Sequence, residues 1–356
     1  MRKELKKTYK GLRNYYFSIL YKKINLKGAF KPKYKTLKRL KAKNYPYKVY
    51  MIQNCRIYTN CVENLSIIKN NQLIPEGSMQ QINGKLVNAR RNEVLKTGTP
   101  KFIKKIRGNV FNLVQGASGY DNYSHWLLDI IPKIKILSEV YSLKKIDYFY
   151  FTKLNRFQKE TFKVLKLNPN KIINSKIYKH CLIENLFFCT HPNYLKGTIS
   201  TAHSNIPKWI VDYLRKKFLT SNIKKNLKYK KIYIDRSDSS YNHCKLINDE
   251  EIKKYLKNKG FKILKLSKLN FKQQVSIFKN CEIVIGPHGA GMANLIFCKK
   301  KTKVLEIKNV GHPNKVYQKI SQLNNLEHQF IMLPKILGER RGDMYLPIQR
   351  LKNYLN

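Results

Sequence analysis

Three clusters in this sequence hold side chains that can do chemistry together. The first is Gly286-Pro287-His288-Gly289-Ala290-Gly291, between the apolar run CEIVI (281–285) and MANLIF. A glycine turn between a strand and a helix exposes backbone N–H groups and the positive end of a helix dipole. Both suit a phosphate or diphosphate. Small residues let such a ligand approach the backbone closely. His288 adds a hydrogen-bond donor. The spacing is neither the dinucleotide G-x-G-x-x-G nor a P-loop with Gly-Lys-Ser/Thr. The plainer account is a tight strand–helix turn with a core-facing histidine.

The second cluster is Asn122-Tyr123-Ser124-His125-Trp126-Leu127-Leu128-Asp129. A helix starting from a Ser124 cap would put His125 and Asp129, four apart, on one face. A histidine beside a carboxylate makes a general base and its orienter. Ile130, Ile131, Ile134 and Leu137 would bury the pair and perturb its ionisation. Pro132 interrupts the helix and weakens the spacing argument. A capping aspartate next to a buried histidine explains the same residues. The third cluster is Arg236-Ser237-Asp238 after the strand IYIDR, followed by Cys244, Lys245 and Asn248. An arginine at the carboxyl end of a parallel strand can grip phosphate with its planar fork. It can equally pair with Asp235 or Asp238 at the surface. Glu306 ends KVLEI (303–307) and suits ribose hydroxyls or a capped turn.

These clusters need elements to position them. From residue 232 onward, strand and helix patterns alternate with short connections. IYIDR (232–236) precedes the helix NDEEIKKYLKNKG (248–260), with Asn248 as N-cap and Gly260 at the stop. FKILKL (261–266), the helix 271–280, CEIVI, KVLEI, the helix 313–323 and QFIML (329–333) follow. Such alternation predicts a parallel sheet with crossover helices, a doubly wound α/β domain over about 205–335. Earlier, YKVYMIQ (47–53), RIYT (56–59) and LSIIK (65–69) read as separate short strands. Apolar-rich 125–142, DYFYF (147–151), helical 156–167 and LIENLFFC (182–189) come next. Residues 190–205 carry loop chemistry and are expected to join two domains.

Composition narrows the classes. The 356 residues include 72 Lys+Arg and 21 Asp+Glu, a net charge of +51. At 42% hydrophobic and 12% aromatic, the chain is not disordered throughout. No apolar run reaches the roughly 18–20 residues of a membrane-spanning helix. No apolar segment with a small-residue cleavage site follows the basic N-terminus, so no signal peptide is read. The charge fits nucleic-acid binding, an anionic membrane face, or a Lys- and Asn-rich compositional background. Residues 1–43 stand out, with 16 Lys/Arg against Glu4 alone. Leu12, Tyr15, Tyr16, Ile19 and Leu20 recur there at roughly helical spacing. They fit an amphipathic helix on a membrane surface or a solvated basic arm. The seven cysteines include no C-x-x-C, which fits a reducing compartment. Cys281 and Cys298 read as small core residues. His243 beside Cys244 lacks the partners of a zinc site.

Taken in order, NYSHWLLDIIPKI, IYIDRSD with KLINDEEI, VSIFKNCEIVIGPHGAGMANLIF and KVLEI resemble glycosyltransferase family 61, whose bacterial members are often capsular polysaccharide biosynthesis proteins. The likeness runs over roughly 110–310 and is densest in 232–307. It implies an α/β, GT-B-like fold: two Rossmann-like domains facing a cleft, here with an extra β-rich segment in the N-terminal one. It implies sugar transfer from a nucleotide sugar, UDP-linked, with inversion and without cofactor or metal. Arg236, His288, Gly289, Ala290, Gly291 and Asn294 would then line the diphosphate, Glu306 the ribose, and His125 and Asp129 the acceptor. Members commonly carry a second basic residue, often Arg, before the INDEE-type segment. This chain offers Lys245, a point charge without a bidentate fork.

The expected organisation is a basic arm (1–44), an acceptor-side domain (45–200), a nucleotide-sugar-binding domain (201–335) and a tail (336–356). The expected partners are a nucleotide sugar, a glycan or lipid-linked oligosaccharide and an anionic membrane surface, but no nucleic acid. The expected place is the cytoplasm, at the inner face of the plasma membrane. Two other readings stay open. One is a basic nucleic-acid-binding protein with an α/β core, although no known nucleic-acid motif is present. The other is a non-catalytic glycan-binding homologue.

Overall fold

The computed structural model describes residues 2–42, 45–61, 64–82, 85–87, 89–114, 121–193, 204–219, 229–239, 244–310, 312, 314–336 and 342–355. Most of the expected linker (194–203), His243 and part of the expected tail (337–341) lie outside the described residues. The chain divides into two compact units. One comprises 1–155 and 168–202, the other 156–167 and 203–356.

The first unit is built on a mixed sheet. Its strands are β1 (Lys33–Ala42), β2 (Tyr45–Cys61), β3 (Asn64–Lys69), β4 (Gln72–Leu73), β5 (Gln80–Ile82), β6 (Lys85–Val87), β7 (Lys104–Asn112), β8 (Tyr148–Phe151), β9 (Ile172–Asn174) and β10 (His180–Cys189). The main order is β6-β5-β3-β2-β10-β7-β8-β9, with β1 on β2 and β4 on β3. The run β10-β7-β8-β9 is parallel, while β1, β2 and β3 are antiparallel to their neighbours. The segments expected as two strands, 47–53 and 56–59, are one strand, β2. Asn54 interrupts the apolar pattern, yet it stays within the strand with positive φ (48°), and the register to β10 is the same on either side of it. Part of the basic arm is also strand: KYKTLKRLKA pairs with β2 as β1. The helix α1 (Arg2–Tyr21) precedes it.

The second unit matches the alternation read from the sequence. Strands β11 (Lys231–Asp235), β12 (Lys262–Lys265), β13 (Ile283–Pro287), β14 (Lys303–Asn309) and β15 (Glu327–Leu333) form a parallel sheet in the order β12-β11-β13-β14-β15. Alternate residues face opposite ways along a strand. Tyr233, Ile285, Leu305 and Ile307 pack on one face with Ile252 and Leu256 of the helix Asp249–Asn258 and Leu351 of Ile348–Leu355. On the helices Lys208–Phe218 and Phe271–Asn280 and the segment Ala290–Phe297, Phe218, Phe271 and Phe297 meet edge to face, 4.8–6.3 Å apart. Cys281 and Cys298 are buried, as expected, with sulfurs 4.0 Å apart.

Local signals explain the helix ends. Phe271–Asn280 starts with a capping box between Asn270 and Gln273. Glu160 accepts a hydrogen bond from the Phe271 N–H at 2.6 Å, a negative charge at the positive end of that helix. Glu160 lies on the helix Arg156–Val164, which therefore belongs to the second unit although β8 and β9 flank it in sequence. Asn248 precedes the helix Asp249–Asn258 without capping it. Its amide donates instead to Glu251 and to the Leu346 carbonyl. Gly260 ends that helix at φ 79°, where a side chain would be strained.

Candidate active site

In the first unit a continuous helical run covers Tyr123–Ser138. It opens with one α-turn, passes through a π-helical turn at Trp126–Ile130, and returns to α-helix at Ile131. Asn122, rather than the expected Ser124, caps it: the Asn122 carboxamide accepts from the His125 N–H at 3.1 Å. Trp126, Leu127, Leu128, Ile130 and Ile131 are fully buried, which anchors the run in the core. His125 Nδ1 lies 2.6 Å from Asp129 Oδ2, so the spacing of four survives the π-turn. Asp129 is 1% exposed and His125 20%.

Asn193 completes this group. Its amide donates to Asp129 Oδ1 at 2.6 Å and to the Leu128 carbonyl at 3.0 Å. Pro132 has no N–H to offer the Leu128 oxygen four residues back, and Asn193 bonds to that oxygen. The proline that weakened the spacing argument thus helps explain the site. Each carboxylate oxygen of Asp129 has a hydrogen-bonding neighbour, and the ring of His125 remains partly open to solvent. Lys133, one turn further on, is buried and donates to the Leu113 carbonyl at 2.7 Å. Burial pulls its ammonium down to about 8, with Cys189 and Asp129 opposing that fall.

In the second unit, the carboxyl ends of β11 and β13 bring Arg236 and the glycine turn together. Arg236 follows β11 directly and donates to the His288 carbonyl and to Ser239 Oγ. Its neighbouring acids have partners of their own. Asp235 binds Lys253 at 3.1 Å, and Asp238 accepts from Ser267. Burial lowers the guanidinium's affinity for its proton. A cavity of about 280 Å³ opens here, lined by Arg236, Ser237, Ser239, Lys245, Asp249 and Pro287 among others. Cys244 is buried while Lys245 is exposed, and both line this cavity.

The turn itself depends on its glycines through close approach. A Cβ on Gly289 would lie 2.5 Å from Arg236 Cζ, and one on Gly286 would lie 2.9 Å from Ile234 Cβ. The helix expected after the glycine turn is a 3-10 helix, Ala290–Phe297. Its first N–H groups still lack partners within the helix. Asn294 is fully buried and donates to Gln274 Oε1 and to the Gly291 carbonyl, so it braces the turn from inside.

His288 and Glu306 form a buried pair through His288 Nδ1 and Glu306 Oε1. The other carboxylate oxygen meets His328 Nε2 at 3.1 Å, and His328 Nδ1 meets Ser321 Oγ at 2.7 Å. Burial alone would raise the Glu306 carboxyl. Hydrogen bonds and charge from the two histidines outweigh it and hold the carboxyl at about 2. Glu306 is 1% exposed. It lies behind His288, held between that ring and His328. The ring of His312 lies 4.1 Å from that of His288, and Tyr317 4.9 Å.

The sequence pattern of Glycosyltransferase 61 matches residues 123–305, just over half of the chain. The chain belongs to glycosyltransferase family 61. The matched span holds the His125–Asp129 pair, Arg236, Lys245 and the glycine turn, and stops one residue short of Glu306. No curated protein matches the chain. A solved flavo di-iron protein mutant from Thermotoga maritima aligns over 92% of this chain and 98% of its own. Its identity is 9% and its TM-score 0.27, which carries no argument.

Sequence reasoning missed Asn193, His312, Tyr317 and His328. Asn193 ends the sequence His191-Pro192-Asn193, which reads only as loop. His328 lies on β15, where nothing local marks it as a partner of Glu306.

Proposed function

We propose that this family 61 glycosyltransferase moves a sugar from a nucleotide sugar, UDP-linked, to a glycan or lipid-linked glycan acceptor. The product belongs to a cell-surface polysaccharide such as capsule, lipopolysaccharide or exopolysaccharide. The observation that carries the reading is the family span, which contains both a His125–Asp129 pair with a buried carboxylate and a cavity at strand carboxyl ends lined by Arg236 and Lys245. Ligands of parallel α/β sheets bind at such ends. We assign the acceptor side to the first unit and the donor side to the second, as in a GT-B enzyme. The cysteines described are all free, which fits a cytoplasmic site of action.

The acceptor hydroxyl attacks the anomeric carbon from the side opposite the diphosphate. The carbon–oxygen bond to the diphosphate breaks and its electron pair leaves with that group. Configuration inverts. Arg236, Lys245, His288 and the N–H groups of Gly289, Ala290 and Gly291 stabilise the growing negative charge without a metal. The geometry favours His125 as the base. Asp129 holds Nδ1–H, which leaves Nε2 to take the acceptor proton, and stabilises the imidazolium that results. Asn193 fixes Asp129.

The test is transfer from a panel of nucleotide sugars in the presence of EDTA, with wild type, Asp129→Asn and His288→Ala. Wild type is expected to transfer. Each variant should lose at least about 10²-fold in turnover while retaining its near-UV circular dichroism. Wild-type turnover in either variant removes the corresponding residue from the site.

A further inference from the structure

We propose that α1 docks the protein on an anionic phospholipid surface. Seven of the large apolar side chains exposed among the described residues fall on this one helix: Leu5, Tyr9, Leu12, Tyr15, Tyr16, Ile19 and Leu20, each 49–68% exposed. Leu5, Tyr9, Leu12, Tyr16 and Ile19 follow one another at intervals of four, three, four and three residues. That is the spacing of one helical face.

This face points away from the body of its unit. Phe17 is buried beside Phe102, with ring centroids 5.0 Å apart. Tyr21 stacks on Phe17, meets His180 edge on, and its hydroxyl accepts from the Ile103 N–H at 3.1 Å. Phe17 and Tyr21, four apart, hold the carboxyl-terminal end of the helix to the β-rich unit and leave the apolar row outside. Phe102 is 67% exposed and extends that row across the neighbouring loop.

The charges around the row select its occupant. Lys6, Lys7 and Lys10, all exposed, share the helix with one described acid, Glu4. At the carboxyl-terminal end a cavity of about 410 Å³ is lined by Lys22, Lys23 and Lys96, with Ser18, Tyr15 and Thr97. Three ammonium groups beside hydroxyls match the chemistry of a lipid phosphate. A second copy of the helix would set two rows of cations against each other, which disfavours self-pairing. No helix among the described residues is long and apolar enough to cross a membrane. An amphipathic helix of this charge lies in the interface, with apolar side chains among the acyl chains and cations at the headgroups.

Flotation of the full chain with phosphatidylcholine vesicles, with and without roughly 30 mol% phosphatidylglycerol at about 0.1 M salt, tests the proposal. Binding is expected on anionic vesicles and at least about tenfold weaker on neutral ones. Leu12→Glu with Ile19→Glu removes two exposed apolar contacts, so folding persists and vesicle binding falls by at least about tenfold. Lys22→Gln, Lys23→Gln and Lys96→Gln together should weaken it about a hundredfold, at about fivefold per cation. Light scattering without lipid should find the same mass for wild type and the Leu12/Ile19 variant. Three results would each overturn the proposal: no binding by wild type, unchanged binding by the Leu12/Ile19 variant, or self-association of wild type that this variant abolishes. None of these readouts depends on sugar transfer, so the proposal stands or falls separately from it.

Discussion

Replacing Gly289 by alanine tests how the glycine turn works. The new Cβ would lie 2.5 Å from both Cζ and Nε of Arg236 and 3.0 Å from Nη1. Ordinary contact begins near 3.4 Å, so the guanidinium must retreat by about 1 Å. The backbone itself is not strained by alanine, because Gly289 has an extended φ of 169°. The effect is therefore purely a displacement of Arg236. A misplacement of about 1 Å in a charge-positioning group costs roughly 10²-fold, or about 2.7 kcal/mol in transition-state stabilisation. Arg236→Ala should cost a similar amount, and the double variant should cost little more than either single one, because both remove the same interaction. The assays are kcat/KM for the donor and calorimetric affinity for UDP, with the thermal midpoint as a check on folding. Wild-type kcat/KM in Gly289→Ala would refute the reasoning. So would strictly additive losses in the double variant.

Two further perturbations address positioning residues. Asn193→Ala removes a buried donor worth about 1–3 kcal/mol to Asp129, so kcat should fall roughly tenfold to a hundredfold with donor KM unchanged. A change confined to donor KM would place Asn193 elsewhere in the reaction. The Glu306 carboxyl is held at about 2 against an ordinary 4.5, so it stabilises the fold above about pH 4.5. That stability is lost as pH falls from about 4.5 towards 2, roughly 3 kcal/mol in all. Urea midpoints measured across this window should fall for wild type and lose most of that slope in Glu306→Gln; equal slopes would count against the buried pair.

Local pattern carries the second unit in the sequence. Strands β11 to β15 and the helices between them appear close to where periodicity places them, because most consecutive strands there are also neighbours in the sheet, β12 and β13 being parted by β11. The first unit hides its order. Its sheet joins β2 to β10 across more than a hundred residues, and β1 lies in a lysine-rich stretch that composition marks as an arm. The helix Arg156–Val164 is legible as a helix, but its place in the second unit is not, since its partner Phe271 is remote in sequence. The site divides the same way. His125 and Asp129 are four apart, and His288 sits within the glycine turn, so both are visible as spacing. The positioning shell is not. Asn193, His328 and His312 become relevant only once the fold brings them to Asp129, Glu306 and His288. Glu306 was noticed, but its burial between two histidines depends on β15 pairing with β14.

The central claim is that the strand ends of the second unit bind the diphosphate of a nucleotide sugar through Arg236. A thermal-shift panel of nucleotide sugars against wild type and Arg236→Ala measures it directly. A ligand at about 100 times its dissociation constant stabilises the native state by about 2.7 kcal/mol. Wild type should therefore show a clear rise in midpoint with at least one nucleotide sugar and with the matching nucleoside diphosphate, and Arg236→Ala should lose most of it. A panel that leaves wild type unmoved, or a full shift in Arg236→Ala, would contradict the account.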